Sequence, residues 1–293
     1  MNKESKLGIV WLGTKVTFVV RTDHPEFLNL TPKYDVIISD CRPYGERTLT
    51  LSFVFPVNSC QDYTFKTCFP LDCTDVHDSE FTSDGVYLIF PNGRYSAPVQ
   101  VYCDMTTPNG PWTVFQKRFN GSENFYRSWE DYKSGFGQAD SEYWLGLENI
   151  YQLTLRRSYR LRIDLTDFDD DSRFVIYNTF SLSSLPISSV ADSYKLYIDG
   201  FQEGNPSRPA GDSLGYHHNM AFSTYDRDRD LSYLDCATTF KGGFWYNECH
   251  FTNLNGLYLG GPTSQYATGM VWTTWRGYYY SMKTTQMKIA MKK

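Results

Sequence analysis

The sequence lacks the motifs of several large classes of protein. It contains no Gly-x-Ser-x-Gly, His-Glu-x-x-His, phosphate-loop or dinucleotide-binding motif, so nothing in it calls for catalysis. The carboxylate run Asp167–Asp171 is read as a turn or an acidic surface, because successive side chains cannot all face one substrate. The net charge is −5 and the only basic run ends the chain, which disfavours nucleic acid and anionic lipid as partners. We therefore expect a protein that is not an enzyme and does not bind nucleic acid.

Long repeats and membrane-spanning segments are also missing. There is no Gly-X-Y repeat and no heptad pattern, which argues against a collagen stalk or a coiled coil. The apolar stretch 7–20 carries Lys15 and lacks a small-residue cleavage site, so it does not resemble a secretory leader. It is also too short to cross a bilayer. No Arg-Gly-Asp triplet occurs, which leaves integrin binding without its usual motif.

Aromatic residues are abundant, at 17% of the chain, with 23 tyrosines, 20 phenylalanines and seven tryptophans. Flat rings supply the contact area used by sites for carbohydrates and acetyl groups, but they also build aromatic cores, and composition leaves both interpretations open. Hydrophobic residues at 41% and charged residues at 21% describe a soluble globular protein.

Seven cysteines are present and none forms a Cys-x-x-Cys pair, so a structural zinc site is not expected. An odd number in an oxidising compartment implies a free thiol or a bridge between chains. Two glycosylation triplets, at Asn29 and Asn120, support secretion. The cysteines are Cys41, Cys60, Cys68, Cys73, Cys103, Cys236 and Cys249.

The pattern of the chain changes near residue 68, which predicts an N-terminal extension, 1–67, and one large domain, 68–293. Alternating apolar residues predict strands at 14–20 and 49–57 in the extension. In the domain, the predicted strands are 86–90, 99–102, 112–115, a hairpin of 159–168 with 173–180, and 194–201; the predicted helices are 128–135 and 147–155. After about residue 205, Gly, Asp, Tyr and Trp dominate, as in long loops that form binding sites.

Several short motifs resemble those of fibrinogen-related domains, and they occur in the family's order across residues 73–293. The motifs are Ser83-Asp84-Gly85-Val86-Tyr87, Val101-Tyr102-Cys103-Asp104-Met105, Trp112–Arg118, Glu142–Leu147, Asn253–Gly256 and Tyr280–Lys283. The resemblance implies an α+β fold with a disulfide-stapled first part, a central twisted antiparallel sheet with small helices, and a loop-rich part for calcium and ligand. It also implies disulfides Cys73–Cys103 and Cys236–Cys249.

Cys68 resembles an interchain cysteine of one member of the family, which predicts a disulfide-linked homo-oligomer. Cys41 and Cys60 are free to pair with each other, although spacing alone does not decide this.

Carboxylates alternate with arginines at Asp226–Asp230, a pattern that can bring oxygen ligands to a hard cation. The alternative is a solvated loop in which the two arginines partly neutralise the acids. An EF-hand is excluded, because Leu231 stands where glycine is needed and Ala237 where glutamate is needed. The resemblance aligns Asp228 and Asp230 with the side-chain ligands of Ca²⁺ in the family, and the backbone carbonyls of Ser232 and Leu234 with the remaining protein ligands. It places Asp226 beside the site, where it can assist through water.

The resemblance also implies a pocket for an acetyl group, with the peptide before Cys249 in the cis form. An acetyl methyl needs a small aromatic enclosure, and its carbonyl and amide need polar partners. The pocket residues are Phe240, Trp245, Cys249, His250, Tyr266 and Tyr278. The adjacent pair His217-His218 is read as loop surface, since neighbouring rings tend to point apart.

These observations predict a secreted, calcium-dependent recognition protein that binds acetylated glycans or other acetylated ligands in extracellular matrix or innate immune recognition. The alternative is a structural protein of matrix fibres that binds elastin- or collagen-type partners.

Overall fold

The computed structural model divides the chain into two compact units, Met1–Cys68 and Phe69–Lys293. It describes residues 69–183 and 194–292 and, in the first unit, the backbone of four strands. These strands form one antiparallel sheet in the order β1-β2-β4-β3. They are β1 (Leu7–Leu12), β2 (Lys15–Arg21), β3 (Val36–Ile37) and β4 (Thr48–Phe53). The strands predicted at 14–20 and 49–57 correspond to β2 and β4.

The second unit is built on a sheet of nine strands, whose main path is β12-β11-β10-β17-β7-β6-β5. The last strand of the chain, β17, lies between β10 and β7 and so joins the early strands to the later hairpin. The strands are β5 (Gly85–Ile89), β6 (Val99–Asp104), β7 (Trp112–Arg118), β8 (Phe136–Gly137), β9 (Tyr143–Trp144), β10 (Tyr159–Thr166), β11 (Ser172–Ser183), β12 (Lys195–Glu203) and β17 (Thr284–Met291).

Strict alternation in β10 explains how the sheet makes a core on one face. Leu161, Ile163 and Leu165 are fully buried, whereas the residues between them are only partly covered. Successive side chains of a strand point to opposite faces, so every second residue enters the core. On that face Phe115 stacks on Phe180, with ring centroids 5.4 Å apart. The predicted α+β fold with a central antiparallel sheet is confirmed.

Five short helices accompany the sheet, and none among the described residues is long and apolar enough to cross a membrane. Asp72 caps the first helix by accepting backbone N–H groups of Thr74 and Asp75, and Ser128 and Asp131 form a capping box on the second. The helices are α1 (Cys73–Asp78), α2 (Trp129–Ser134), α3 (Leu147–Arg156), α4 (Cys236–Phe240) and α5 (Thr273–Arg276).

A buried ion cluster fastens β17 inside the sheet. Lys288 is 2% exposed, and its Nζ lies 2.6 Å from a carboxylate oxygen of Asp104 and 2.6 Å from one of Asp164. A buried ammonium is tolerated only when such partners replace its water. The cluster therefore holds strands β6, β10 and β17 in register.

The two disulfides expected from the resemblance are both present, Cys73–Cys103 and Cys236–Cys249. The first joins α1 to β6. The second closes an interval of 13 residues that begins at α4.

Residues 204–282 contain little regular structure. Their strands are two residues long and form two separate pairs, β13 with β15 and β14 with β16. These strands are β13 (Thr252–Asn253), β14 (Gly261–Pro262), β15 (Val271–Trp272) and β16 (Tyr280–Ser281). The expected loop-rich last part is confirmed, and it carries the candidate site.

Candidate functional site

Hydrogen bonds between residues two positions apart curl the acidic loop Asp228–Leu234. Asp228 Oδ1 accepts the backbone N–H of Asp230, whose Oδ1 accepts that of Ser232, and Ser232 Oγ accepts that of Leu234. The second carboxylate oxygen of Asp230 accepts the N–H of Cys236, at the start of α4. No described residue donates a hydrogen bond to the carbonyl oxygen of Ser232 or Leu234.

The two arginines between the acids contact an aromatic ring. The guanidinium groups of Arg227 and Arg229 lie over the ring of Trp129, with centroid distances of 4.3 and 5.7 Å. The carboxylate of Asp226 is also directed toward the start of α2, where its Oδ1 accepts the backbone N–H of Trp129. The same oxygen accepts the hydroxyl of Thr224. The two guanidinium groups therefore lie against α2, whereas the carboxylates of Asp228 and Asp230 lie close to each other.

The two remaining carboxylates repel each other. Burial raises the pKa of Asp230 most, the amide hydrogens of Cys236 and Ser232 oppose it, and the charge on Asp228 raises it further, to about 6. A hard cation would relieve this repulsion, and carboxylate and carbonyl oxygens are the ligands that Ca²⁺ prefers. The described residues contain no group of three or more His, Cys, Asp or Glu side chains that could hold a metal ion by themselves. The donor set therefore fits only a cation that also accepts backbone carbonyls.

A short chain of backbone contacts runs from the acidic loop to the predicted pocket. Leu231 donates its N–H to the carbonyl of Asn247, and Asn247 donates its own N–H to the carbonyl of Cys249. The peptide bond Glu248–Cys249 is cis, as the resemblance implied. Movement of the acidic loop would therefore reach the pocket through two hydrogen bonds.

Aromatic rings surround His250, which is 5% exposed. The ring of Phe240 is 4.7 Å away, that of Tyr246 is 5.8 Å away and that of Tyr278 is 6.0 Å away, measured between centroids. Tyr278 also donates its hydroxyl to the carbonyl of His250.

Tyr266 extends this cluster to the surface. Its ring centroid lies 5.1 Å from that of Tyr278, and the residue is 50% exposed. The structure thus gathers Phe240, Cys249, His250, Tyr266 and Tyr278 in one place, although 38 residues separate the first from the last in sequence.

The imidazole of His250 has no hydrogen-bond partner at either ring nitrogen among the described residues. Burial and then the nearby His217 lower its pKa to about 3. The Ala267 backbone acts in the opposite direction, although it does not lie in hydrogen-bonding geometry with the ring. His250 is therefore neutral near pH 7 and offers one donor and one acceptor inside an apolar enclosure.

Two predictions about neighbouring residues are wrong. His217 is fully buried and not on a loop surface: its Nδ1 bonds to the carbonyl of Trp245, and its Nε2 accepts the N–H groups of Phe251 and Thr252. Burial lowers the pKa of His217 to about 4, against the bond to Trp245.

Trp245 is also fully buried, and its indole N–H donates to the carbonyl of Tyr194. It belongs to the core and not to the pocket wall. The role of His217 depends on tertiary contacts, so a pair of adjacent histidines in the sequence gave no signal for it.

The structure also describes the acidic run and one of the two glycosylation triplets. Asp167 is buried, accepts the N–H groups of Asp169 and Asp171 and pairs with Arg276, so the acidic run is a structural turn. Asn120 is exposed, and its side chain accepts the N–H of Ser122. The predictions for Asn29, Cys41, Cys60 and Cys68 fall outside the described residues.

Comparisons with known proteins agree with this architecture. The model of the C-terminal globular domain of fibrinogen beta and gamma chains matches residues 69–292. Microfibril-associated glycoprotein 4 of Bos taurus is 54% identical over 226 residues, which cover 76% of this chain and 87% of the relative. The fibrinogen-like globe domain of human ANGPTL2 shares 38% identity at a TM-score of 0.69, covering 76% of this chain and 99% of that chain.

A lamprey fibrin D-dimer, solved with the peptide ligand Gly-His-Arg-Pro-amide, shares 36% identity at a TM-score of 0.67. The match covers 79% of this chain and 77% of that chain.

Proposed function

Because the chain belongs to the family of fibrinogen C-terminal globular domains, we propose that it is a secreted, non-enzymatic recognition protein that binds acetylated ligands in a calcium-dependent manner. The ligands are acetylated carbohydrates or other molecules that present an N-acetyl group. The binding residues are Phe240, Cys249, His250, Tyr266 and Tyr278.

The unpartnered imidazole of His250 is the observation that carries this proposal. Buried polar atoms in native proteins are nearly always hydrogen-bonded, so a buried ring whose two nitrogens have no partner in the described part of the chain calls for an explanation. The carbonyl and amide of an acetamido group would supply the missing hydrogen-bond partners of the imidazole. Its methyl group would fit among the surrounding aromatic rings. Tyr266, half exposed at the rim, would cover the bound group.

We propose that Ca²⁺ is held by the carboxylates of Asp228 and Asp230 and by the backbone carbonyls of Ser232 and Leu234. The ion would supply positive charge that offsets the repulsion between the two carboxylates. The chain itself contributes the curled loop, which orients these oxygens. The hydrogen bond from Leu231 to Asn247 would transmit a movement of the loop to the pocket. Calcium therefore acts on binding indirectly, through the shape of the loop.

A matrix role is the second candidate, and two relatives favour it. One relative is named for its association with microfibrils, and the lamprey homologue was solved with a peptide ligand. The same surface would then receive a protein segment of an extracellular fibre, of elastin or collagen type.

An N-acetylglucosamine resin tests the first function. Tyr266→Ala removes an exposed ring at the rim and should abolish retention without unfolding the protein. Tyr95→Ala is the matched control, because Tyr95 is 88% exposed and lies in the sheet-bearing part, far along the chain from the pocket. Retention of Tyr266→Ala equal to that of wild type would show that the pocket assignment is wrong.

Competition separates the two candidates. Binding to a glycan surface that free N-acetyl sugars remove supports the acetyl-binding function. Binding to elastin or collagen that the same sugars leave unchanged supports the matrix role.

We further propose a disulfide-linked homo-oligomer through Cys68. A single acetyl group offers few atoms, so each site binds weakly, and linked sites can raise avidity by roughly 10² to 10⁴. Cys68→Ser should convert the non-reducing gel band to monomer and lower retention on the resin. An unchanged band would move the bridge to Cys41 or Cys60.

A further inference from the structure

A second surface cavity lies at the end of the sheet opposite to the loops of the acetyl pocket. It has a volume of about 470 Å³ and is lined by Asn109, Gly110, Arg160, Asn178 and Lys292. Arg160 is the second residue of β10, whereas the last residue, Thr166, accepts a hydrogen bond from Lys283 beside the loop region. Six residues of extended strand, about 20 Å, separate the two ends.

A break in the strand register shapes this cavity. Tyr159 pairs with Phe180, but Leu161 pairs with Tyr177, so two residues of β11, Asn178 and Thr179, stand opposite Arg160. Such a bulge redirects side chains, and bulges are frequent beside binding sites.

The next strand of the sheet leaves room for the bulge. Gly200 of β12 lies against Asn178, and a Cβ there would come within 2.8 Å of the Asn178 Cβ. Gly200 also has φ of +69°, which glycine adopts without strain. The glycine therefore lets β12 pack closely against the bulge.

The two cations of the cavity differ from the cations around them. Arg162 and Lys288, farther along the same strands, each pair with a carboxylate. Among the described residues, no carboxylate lies within ion-pair distance of Arg160 or Lys292, and none lines the cavity. The part of the chain that the structure describes thus gives the cavity two positive charges and no carboxylate, in a chain whose net charge is −5.

Two contacts fix the Arg160 side chain, although one of its N–H groups has no hydrogen-bond acceptor within the described part of the chain. Its guanidinium lies over the ring of Trp112, 5.2 Å from the centroid, and donates to the carbonyl of Asn109. Its Nε is buried and has no partner among the described residues. Lys292 Nζ donates to Thr179 Oγ1 at 2.9 Å, which leaves two of its three protons available.

We propose that this cavity binds a tetrahedral oxyanion carried on a sugar, as a sulfate or phosphate ester. A guanidinium and an ammonium line this cavity, and these are the groups that proteins use for such anions. The side-chain amides of Asn109 and Asn178 add neutral donors at the rim, and the cavity volume lies in the range of small-ligand sites. The site is separate from the acetyl pocket, so one domain can contact a glycan at two points.

Calorimetric titration of the full chain in low salt tests the site with three probes: galactose 6-sulfate, galactose 6-phosphate and unsubstituted galactose. We expect at least one of the esters to bind, and galactose not to bind. Preference for the sulfate assigns the site to sulfated glycans, and preference for the phosphate assigns it to phosphorylated sugars. Binding of galactose equal to that of both esters, or no binding of either ester, overturns the proposal.

Variants locate the site. Arg160→Gln and Lys292→Gln should each lower the affinity for the ester roughly tenfold, as expected for loss of a charge-assisted hydrogen bond. Lys195→Gln removes one positive charge elsewhere, on β12, and should bind like wild type, as should Tyr266→Ala. Lys292 is exposed near the chain end, so its replacement should leave the fold intact. Unchanged affinity in Lys292→Gln contradicts the assignment.

Discussion

The sheet and the loop region of the second unit are held together in different ways. In the sheet, eight residues of β10 pair with β17 in unbroken register, and the apolar side chains alternate into one core. In residues 204–282, each strand pair joins two residues on either side, and much of the backbone is bonded by side chains instead. The imidazole of His217 and the carboxylate of Asp230 are examples of these side chains.

This difference indicates which of the two regions is suited to a ligand-binding site. A ladder of backbone bonds spreads stability over many residues, so each one matters moderately. A loop held by single polar side chains can take an irregular shape suited to a ligand, but it depends on a few residues. We expect substitutions in the loop region to be more costly and more local than those in the sheet.

Replacing His217 should have the largest effect. His217→Leu leaves the N–H groups of Phe251 and Thr252 and the carbonyl of Trp245 without their partner inside the protein, which should cost about 4 kcal/mol of unfolding free energy. His218→Leu is the matched control, because this neighbour accepts only one backbone N–H, from Ile198, and should cost about 1 kcal/mol. Chemical denaturation measures both. Equal costs would show that the three backbone bonds of His217 add nothing beyond the single bond of His218.

Breaking the ion cluster of the sheet should cost less. Lys288→Met leaves Asp104 without its cation, whereas Asp164 keeps its ion pair with Arg162, and we expect a loss of about 3 kcal/mol. N-acetylglucosamine binding by the folded fraction should stay unchanged. A variant that loses binding while it remains folded would show that the sheet and the pocket are coupled.

Acidification should weaken the loop region before the sheet. His217 titrates near pH 6.5 in the unfolded chain and near 4 in the fold, so its stabilising contribution is present above pH 6.5 and is lost as the pH falls toward 4, by no more than about 3 kcal/mol.

The sheet carboxylate Asp104 behaves differently. Burial raises its pKa, but the bonds from Lys288 and Thr107 outweigh this and lower the pKa below the ordinary value. Its contribution therefore persists until the pH falls below about 4. After correction for the intrinsic pH dependence of amide exchange, lowering the pH from 7 to 5 should reduce protection at Phe251 and Thr252 more than in β10. An equal loss of protection in both regions would contradict this order.

Calcium should have the smallest effect on stability. Extracellular modules bind Ca²⁺ with Kd on the order of 10⁻⁴ to 10⁻³ M, so about 2 mM free ion should add roughly 1 to 2 kcal/mol. Asp228→Asn should abolish the rise in Tm on adding Ca²⁺, whereas Asp199→Asn, an exposed aspartate of β12, should keep it. A calcium-dependent rise in Asp228→Asn equal to that of wild type would place the ion elsewhere.

The same contrast explains how much could be predicted from the sequence. Periodic alternation predicted the β10–β11 hairpin, and the helices α2 and α3 were predicted within one residue at each end, whereas α1 was not predicted. The strand β17 was not predicted, although its Thr285, Met287 and Ile289 alternate, because it also contains Lys and Ala, which are depleted in strands.

In the loop region, the sequence shows no alternation of apolar residues from which the structure could be predicted. Its side chains act through single long-range contacts, as the contact of His217 with Thr252 shows. Only the likeness to a known family indicated that Phe240 and Tyr278 would lie beside His250.

The most direct test of the central claim is a spectrum of the histidine ring nitrogens. The chain has five histidines, so a ¹⁵N-histidine-labelled sample gives few signals. We predict that N-acetylglucosamine shifts the Nδ1 and Nε2 resonances of His250, because the ligand supplies their missing hydrogen-bond partners, while His217 keeps its shifts. Unchanged resonances of His250 at saturating ligand would contradict the account.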